Sequence, residues 1–258
     1  MNRLSVCIVA QNEQENLPRL LQSAQPVADE IVVVDGGSTD RTQEIAQAAG
    51  AKVFFRPFTN HAEQKNYAAS RAVNDWIFLL DADEELSPQL SDSVQQWKCR
   101  APEFAVYEMS RLTWYLGEWI HHSRWYPDWQ RRLYRRDFAV FSGVIHSALR
   151  YDGPVGRLRG DLLHYTIRTF PEHEAKLEKY TTAIAQEMFD QGRRHWRWAM
   201  WFAAPWSWIR HFVLGAGFLD GSRGLLIAKM AARGVHLKFQ KLGKLVETER
   251  DAKHRGAA

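Results

Sequence analysis

The chain has 258 residues, of which 45% are apolar and 25% charged, with two cysteines and a formal net charge of +4. That length buries a full core, in one large domain or in one domain with an extension, and the composition excludes a disordered or collagen-like chain. Cys7 and Cys99 form no metal or redox spacing, which excludes a disulfide scaffold and suits a reducing cytoplasm. The first apolar run is short and breaks at Gln11-Asn12-Glu13, so no signal peptide is expected. The charge is uneven. Residues 1–190 hold 21 Lys/Arg and 26 Asp/Glu, a net of −5, while residues 191–258 hold 13 and 4, a net of +9. A basic tail on a mildly acidic body points to a polyanionic partner, either nucleic acid or an anionic membrane surface.

The elements of the first hundred residues alternate. Leu4 to Ala10 is a buried-strand run, followed by a helix with Leu17, Leu20 and Leu21 in register. Glu30 to Asp35 is a second strand ending in an acid. A helix then follows, capped near Ser38 to Asp40 and closed by Gly50. Lys52 to Phe55 is a short third strand, His61 to Ala72 a helix, and Trp76 to Leu80 a fourth strand that runs into Asp81-Ala82-Asp83-Glu84-Glu85. Continuous apolar strands alternating with helices predict a mostly parallel, Rossmann-like sheet flanked by helices. In such sheets ligands bind beyond the carboxyl ends of the strands. Three polar clusters lie there: Gln11 to Glu13, Asp35 to Ser38, and Asp81 to Asp83.

From Tyr107 to Tyr165 aromatic and basic residues interleave, and antiparallel pieces are expected. An amphipathic helix follows, with Leu177, Tyr180, Ile184 and Met188 on one face. Beyond it lies a Trp-rich stretch: Trp198 to Ile209 is twelve residues without a charge, interrupted by Pro205 and flanked by Arg193, Arg194, Arg197, Arg210 and His211. Twelve residues are too few for the ~20 that a spanning helix needs. The stretch reads as an interfacial segment, or as a helix buried against the body. A basic helix with Lys238, Lys241 and Lys244 ends the chain. The division expected is a catalytic domain at 1–165 and a helical, Trp-rich, basic extension at 166–258.

Asp81 and Asp83, two residues apart at a strand end, suit a hard divalent cation that bridges to phosphate, or else a solvated turn. Asp35 suits hydrogen bonding to a ribose or base, and Glu13 could serve likewise.

The stretches SVCIVAQNEQENLPRLLQS, EIVVVDGGSTDRT, EQKNYAAS and WIFLLDADEEL, in this order, resemble a family 2 glycosyltransferase of the GT-A fold. RWYPDWQRRLYRRD and GVIHSAL narrow the resemblance to the lipopolysaccharide-core β-1,4-glucosyltransferases. Two positions depart from that pattern: Gln11 stands where Lys is usual, and Ser147 where Glu is usual. The resemblance implies that Ala10, Glu13 and Asp35 hold the nucleotide, that Asp83 ligates Mg²⁺ or Mn²⁺, and that Asp81 supports the ribose or the metal. It sets Lys65 and Asn66 near the sugar-nucleotide site, where an ordinary exposed helix face is the other reading. His146 is a metal ligand, a diphosphate contact, or a satisfied core histidine.

Glycosyl transfer needs charge neutralised on the leaving diphosphate and a base for the acceptor hydroxyl on the opposite face of the sugar. Asp128, after Pro127 in a Trp/Tyr-rich loop, is the candidate base; an Asp capping a turn is the alternative, with Glu108 and Glu118 in reserve. Among Arg131, Arg132, Arg135 and Arg136, Arg132 is the expected phosphate contact. The function so implied is an inverting, metal-dependent transfer from a UDP-sugar to a glycan or glycolipid. It would take place at the cytoplasmic face of the inner membrane, with the enzyme peripheral. A sugar-phosphate nucleotidyltransferase would carry a Gly-rich basic loop after strand one, which Gln11-Asn12-Glu13 lacks. A nucleic-acid binder would leave the strand-end acids unexplained, so no nucleic-acid partner is expected.

Overall fold

The structure is a computed structural model that describes residues 1–143 and 147–256. Strands β1 (Leu4–Ala10), β2 (Glu30–Asp35), β3 (Lys52–Phe55) and β4 (Trp76–Asp81) pair in parallel, in the order β3-β2-β1-β4. The runs of Val, Ile and Leu in β1, β2 and β4 are buried on both faces, as a parallel sheet covered by helices requires, while the edge strand β3 is half-exposed. The covering helices are α1 (Leu17–Ala24), α2 (Thr42–Ala48) and α3 (His61–Arg71). α3 begins where Asn60 accepts the Glu63 N–H at 2.9 Å. α2 starts later than the sequence suggests. Ser38 is engaged elsewhere, its hydroxyl accepting the Asn12 N–H at 2.8 Å, while Asp40 accepts both the Thr42 N–H at the start of α2, at 3.0 Å, and the Gln14 N–H, at 3.1 Å. These bonds tie the loops after β1 and β2 together.

Antiparallel strands continue the sheet beyond β4, as the interleaved region suggested. β8 (Asp128–Arg135) pairs with β4, then follow β6 (Val106–Tyr115), β11 (Val155–Ile167) and β5 (Glu84–Leu86), with β7 (Glu118–Ile120) beside β6. β9 (Val140–Ser142) and β10 (Ala148–Arg150) form a separate ribbon. The sequence reading did not foresee β5 or α4 (Pro88–Lys98), whose cap Ser87 accepts the Leu90 N–H at 3.2 Å. β4 and β5 are joined by only Ala82 and Asp83, although three strands lie between them in the sheet order. Three residue steps reach at most ~11 Å, whereas four strand spacings are ~19 Å. The sheet must therefore bend back so that β5 meets the end of β4.

Two compact units result. The first comprises Met1–Thr113 and Pro127–Thr166, the second Trp114–Tyr126 and Ile167–Ala258. In the first, one core packs Leu4, Val6 and Ile8 with Phe78, Leu80 and Met109, and another packs Cys7, Val32 and Val34 with Ala68, Ile77 and Tyr134. The second contains α5 (Phe170–Asp190), α6 (Arg197–Phe212), a 3₁₀ turn at Gly217–Asp220 and α7 (Gly221–Gly256). α5 packs on α7 through Ala185, Met188 and Leu242. Pro205 lies inside α6 and does not end it. Among the described residues no helix is long and apolar enough to cross a membrane.

Gly160 on β11 has φ +94°, and an added Cβ would run into the backbone of Gln89 and Leu90 at the start of α4. Gly160→Ala is expected to destabilise the protein by about 3 kcal/mol, combining left-handed strain with a backbone clash. Urea unfolding checks it: a loss under about 1 kcal/mol would show that β11 and α4 are not in this contact.

Candidate active site

The parallel register brings the strand-end residues to one edge. Ala10 pairs with Asp35 across β1 and β2, and Val9 pairs with Asp81 across β1 and β4. The Ala10 carbonyl accepts the Gly36 N–H at 2.8 Å. Gly37, at φ +105°, turns the chain so that its own N–H and that of Ser38 reach the Asp35 carboxylate at 3.0 and 3.1 Å. Asp35 also accepts from the Ser38 hydroxyl and from Gln43 Nε2 at 2.8 Å, and it is fully buried. Burial pushes its carboxyl up, but the bonds from Ser38, Gln43 and Gly37 outweigh this and leave it below the ordinary value. Glu13 is half-buried; its carboxylate accepts from Asn16 Nδ2 at 2.6 Å, and its N–H donates to Thr42 at 2.8 Å.

A chain of alternating charges begins at the end of β4. Lys65 Nζ of α3 lies 2.9 Å from Asp81 Oδ1, and Arg132 Nη2 of β8 lies 2.6 Å from Asp81 Oδ2. The same Arg132 nitrogen lies 2.6 Å from Glu84 Oε1, and Arg111 of β6 stands 3.6 Å from that oxygen. Arg111 then donates through Nε and Nη2 to Asp128 Oδ2 at 2.9 and 2.6 Å. Gln130 Nε2 donates to Asp128 Oδ1 at 2.8 Å, so both oxygens of Asp128 are oriented. Glu84 accepts the Asp81 N–H at 2.9 Å, which closes the turn that carries Asp83. On β11, His164 Nε2 lies 3.2 Å from Asp83 Oδ2.

A break in the β6–β8 register makes this geometry possible. Tyr107 pairs with Leu133, and Glu108 pairs with Arg131, so Arg132 is the extra residue of a bulge. Arg132 shares the face of Tyr134 and meets Asp81, which also pairs with Lys65. Beyond the bulge Gln130 pairs with Met109, and Asp128 with Arg111. One odd residue therefore carries the charge chain from one face of the sheet to the other.

Burial and ion pairing oppose each other at this network. Arg132 and Glu84 are 3% and 0% exposed. Burial raises the Asp81 carboxyl, yet Arg132 and then Lys65 hold it far below the usual carboxylate range. Lys65 is lowered by burial and by Arg132, against the pull of Asp81. Arg132 is disfavoured by burial but held charged by Asp81 and Glu84.

These placements revise several expectations. Lys65 is not on an exposed helix face but buried against Asp81. Arg132 is buried, with one of its nitrogens 2.6 Å from both Asp81 and Glu84. Both ends of the Asn66 amide bond the Phe141 backbone at 2.9 Å, so Asn66 holds β9. His146 lies outside the described residues. Glu84, Arg111 and His164 were not foreseen. For Glu84 a signal existed: it stands two residues from Leu86 on a strand, hence on the same buried face.

Beta strands ending in buried, hydrogen-bonded acids, joined to an antiparallel half that bends back to them, form a fold of the GT-A type. The chain belongs to glycosyl transferase family 2, whose model matches residues 5–151. It is similar to an uncharacterised glycosyltransferase of Rickettsia typhi, 29% identical over 95% of this chain and 88% of that protein. It is also similar to the lipopolysaccharide core biosynthesis glycosyltransferase LpsC of Rhizobium meliloti, 28% identical over 90% of this chain and 92% of that one. Among solved structures, glucosyl-3-phosphoglycerate synthase from Mycobacterium tuberculosis, crystallised with Mn²⁺ and UDP, is 24% identical with a TM-score of 0.36. The match covers 45% of each chain.

Replacing Arg132 by Met leaves Glu84 and Asp81 without their shared cation, and is expected to cost about 3–5 kcal/mol. Arg132→Met with Glu84→Leu should recover a part of that. Equal losses in the two proteins, measured by urea unfolding, would disprove the coupling. On the pH axis, depressed carboxyls contribute stability that is complete above their unfolded values and is lost as pH falls through the folded ones. Stability should therefore hold down to about pH 4 and fall below it. Asp35→Asn should show a shallower acid limb than the parent protein.

Proposed function

We propose that this glycosyltransferase moves a sugar from a nucleoside-diphosphate donor, a UDP-sugar being the first to try, to a glycan or glycolipid acceptor with inversion at the anomeric carbon. Lipopolysaccharide core is the acceptor class in mind, and the enzyme would work peripherally at the cytoplasmic face of the inner membrane. The observation that carries the reading is the track from Asp81 to Asp128. Strand-end acids suited to the donor's nucleotide and diphosphate are joined by Arg132, Glu84 and Arg111 to a carboxylate that suits the acceptor.

Ala10, Glu13 and Asp35 would bound the nucleotide. Asp35 is already ionised and saturated with donors, so its role is to hold the Gly36 to Ser38 turn and present that turn's backbone to the base or ribose. Asp83 is the carboxylate that would hold Mg²⁺ or Mn²⁺. The donor set fits such an ion in part: Asp83 lies on the turn after Asp81 with His164 Nε2 at 3.2 Å, while both oxygens of Asp81 face Lys65 and Arg132. No cluster of three ligating side chains occurs among the described residues, which leave out His146. The ion, when bound, would neutralise the charge growing on the leaving diphosphate.

Asp128 would accept the proton of the acceptor hydroxyl as that oxygen attacks the anomeric carbon opposite the diphosphate. Arg111 and Gln130 would keep its oxygens aimed. Lys65 and Arg132 would fix Asp81 rather than touch the donor.

Asp128→Asn keeps the shape but cannot take a proton. Transfer should fall by ~10²–10⁴-fold, while calorimetric binding of UDP with Mn²⁺ is kept. Asp83→Asn should do the reverse to the first step, losing the divalent-dependent part of UDP binding. A folded Asp128→Asn protein with near-parental turnover, or a product of retained configuration by NMR, would exclude the base assignment.

A further inference from the structure

α6 carries its apolar residues on the wrong side for a helix of a water-soluble surface. Trp198, Trp201, Phe202, Trp206, Ile209 and Val213 recur at helical spacing and are all exposed, Trp198 at 79% and Trp201 at 72%. The opposite side, with buried Ser207, packs along α7. The 3₁₀ turn that follows extends the stripe with Phe218 and Leu219, exposed at 55% and 61%. A contiguous face of this kind marks a surface that something covers.

We propose that this face is an in-plane anchor for an anionic phospholipid surface, with α6 lying at headgroup depth and its arginines on the lipid phosphates. The proposal rests on the peripheral-membrane reading above and names the surface that performs it. Three observations select lipid. First, no acidic residue occurs between Gln191 and Leu219, while Arg193, Arg197 and Arg210 are exposed beside the stripe. Such a rim attracts anionic headgroups and would repel its own image in a twofold pair of identical chains. Second, five of the eleven tryptophans fall within residues 196–208, and Trp favours the interfacial layer over the hydrocarbon interior. Third, sixteen helical residues span ~24 Å, short of a bilayer crossing but suited to lying in its surface.

The test uses the full chain and flotation with vesicles of phosphatidylcholine alone, or with roughly one part in four of phosphatidylglycerol. Binding is expected to the anionic vesicles only, weakening between about 0.1 and 0.5 M salt. Arg193→Gln, Arg197→Gln and Arg210→Gln together should lower the partition coefficient on the order of 100-fold. Trp198, Trp201, Phe202 and Trp206 all changed to Ser should abolish binding. Helical circular dichroism checks the fold of both variants, and should the aromatic variant fail to fold, the arginine variant and the salt series decide. Parental flotation that ignores salt and the arginine changes would overturn the proposal. So would light scattering that shows a dimer dissolved by the aromatic changes without vesicle binding. Sugar transfer to a water-soluble acceptor is measured in parallel: its retention in a variant that no longer floats separates the anchor from the catalytic reading.

Discussion

The buried guanidinium of Arg132 is the interaction on which the first unit's polar architecture depends. One nitrogen faces both Asp81 and Glu84 at 2.6 Å, with Lys65 on one side and Arg111 on the other. Three cations alternate with three carboxylates from Lys65 to Asp128, so the desolvation of each charge is offset by its neighbours. Buried pairs of this sort add little net stability over an apolar filling, but each is costly to break. Their effect is geometric. They fix the end of β4, the turn bearing Asp83 and the first residue of β8 with respect to one another.

Two backbone features make that network possible. The sheet bends so that β5, adjacent in sequence to β4 but distant in strand order, returns to it, and His164 on β11 arrives beside Asp83. The bulge at Arg132 then breaks the alternation of β8, so that Arg132 and Asp128 serve opposite faces. Irregularity of this kind is expected where a strand must aim side chains rather than only fill a core.

The second unit applies the hydrophobic effect differently. α5 and α7 bury Ala185, Met188 and Leu242 in the ordinary manner, whereas α6 spends a modest inner face on α7 and leaves its bulk aromatics outside. Pro205 removes a backbone donor from α6, and packing along α7 keeps the helix continuous regardless.

The sequence by itself determined the parallel half. Strands β1 to β4 are apolar runs bounded by polar clusters, and a parallel sheet puts all their carboxyl ends on one edge, so Ala10, Asp35 and Asp81 converge without any knowledge of packing. The order of motifs was likewise enough for the family, and charge counting was enough to set the basic, Trp-rich tail apart. Only the tertiary structure decided what each polar residue faces. Lys65 reads as a residue near the donor site or on an exposed helix face, and Arg132 as a phosphate contact; their burial against Asp81 comes from α3 and β8, distant in sequence. Asn66 reads as an exposed helix residue until β9 is brought to it. Arg111 and His164 carry no local mark at all, because their partners are assigned by strand register and by the bend of the sheet. Local pattern reports periodicity and therefore which face is apolar; the pairing of charges depends on contacts between residues as far apart as Asp81 and Arg132, which no short window contains.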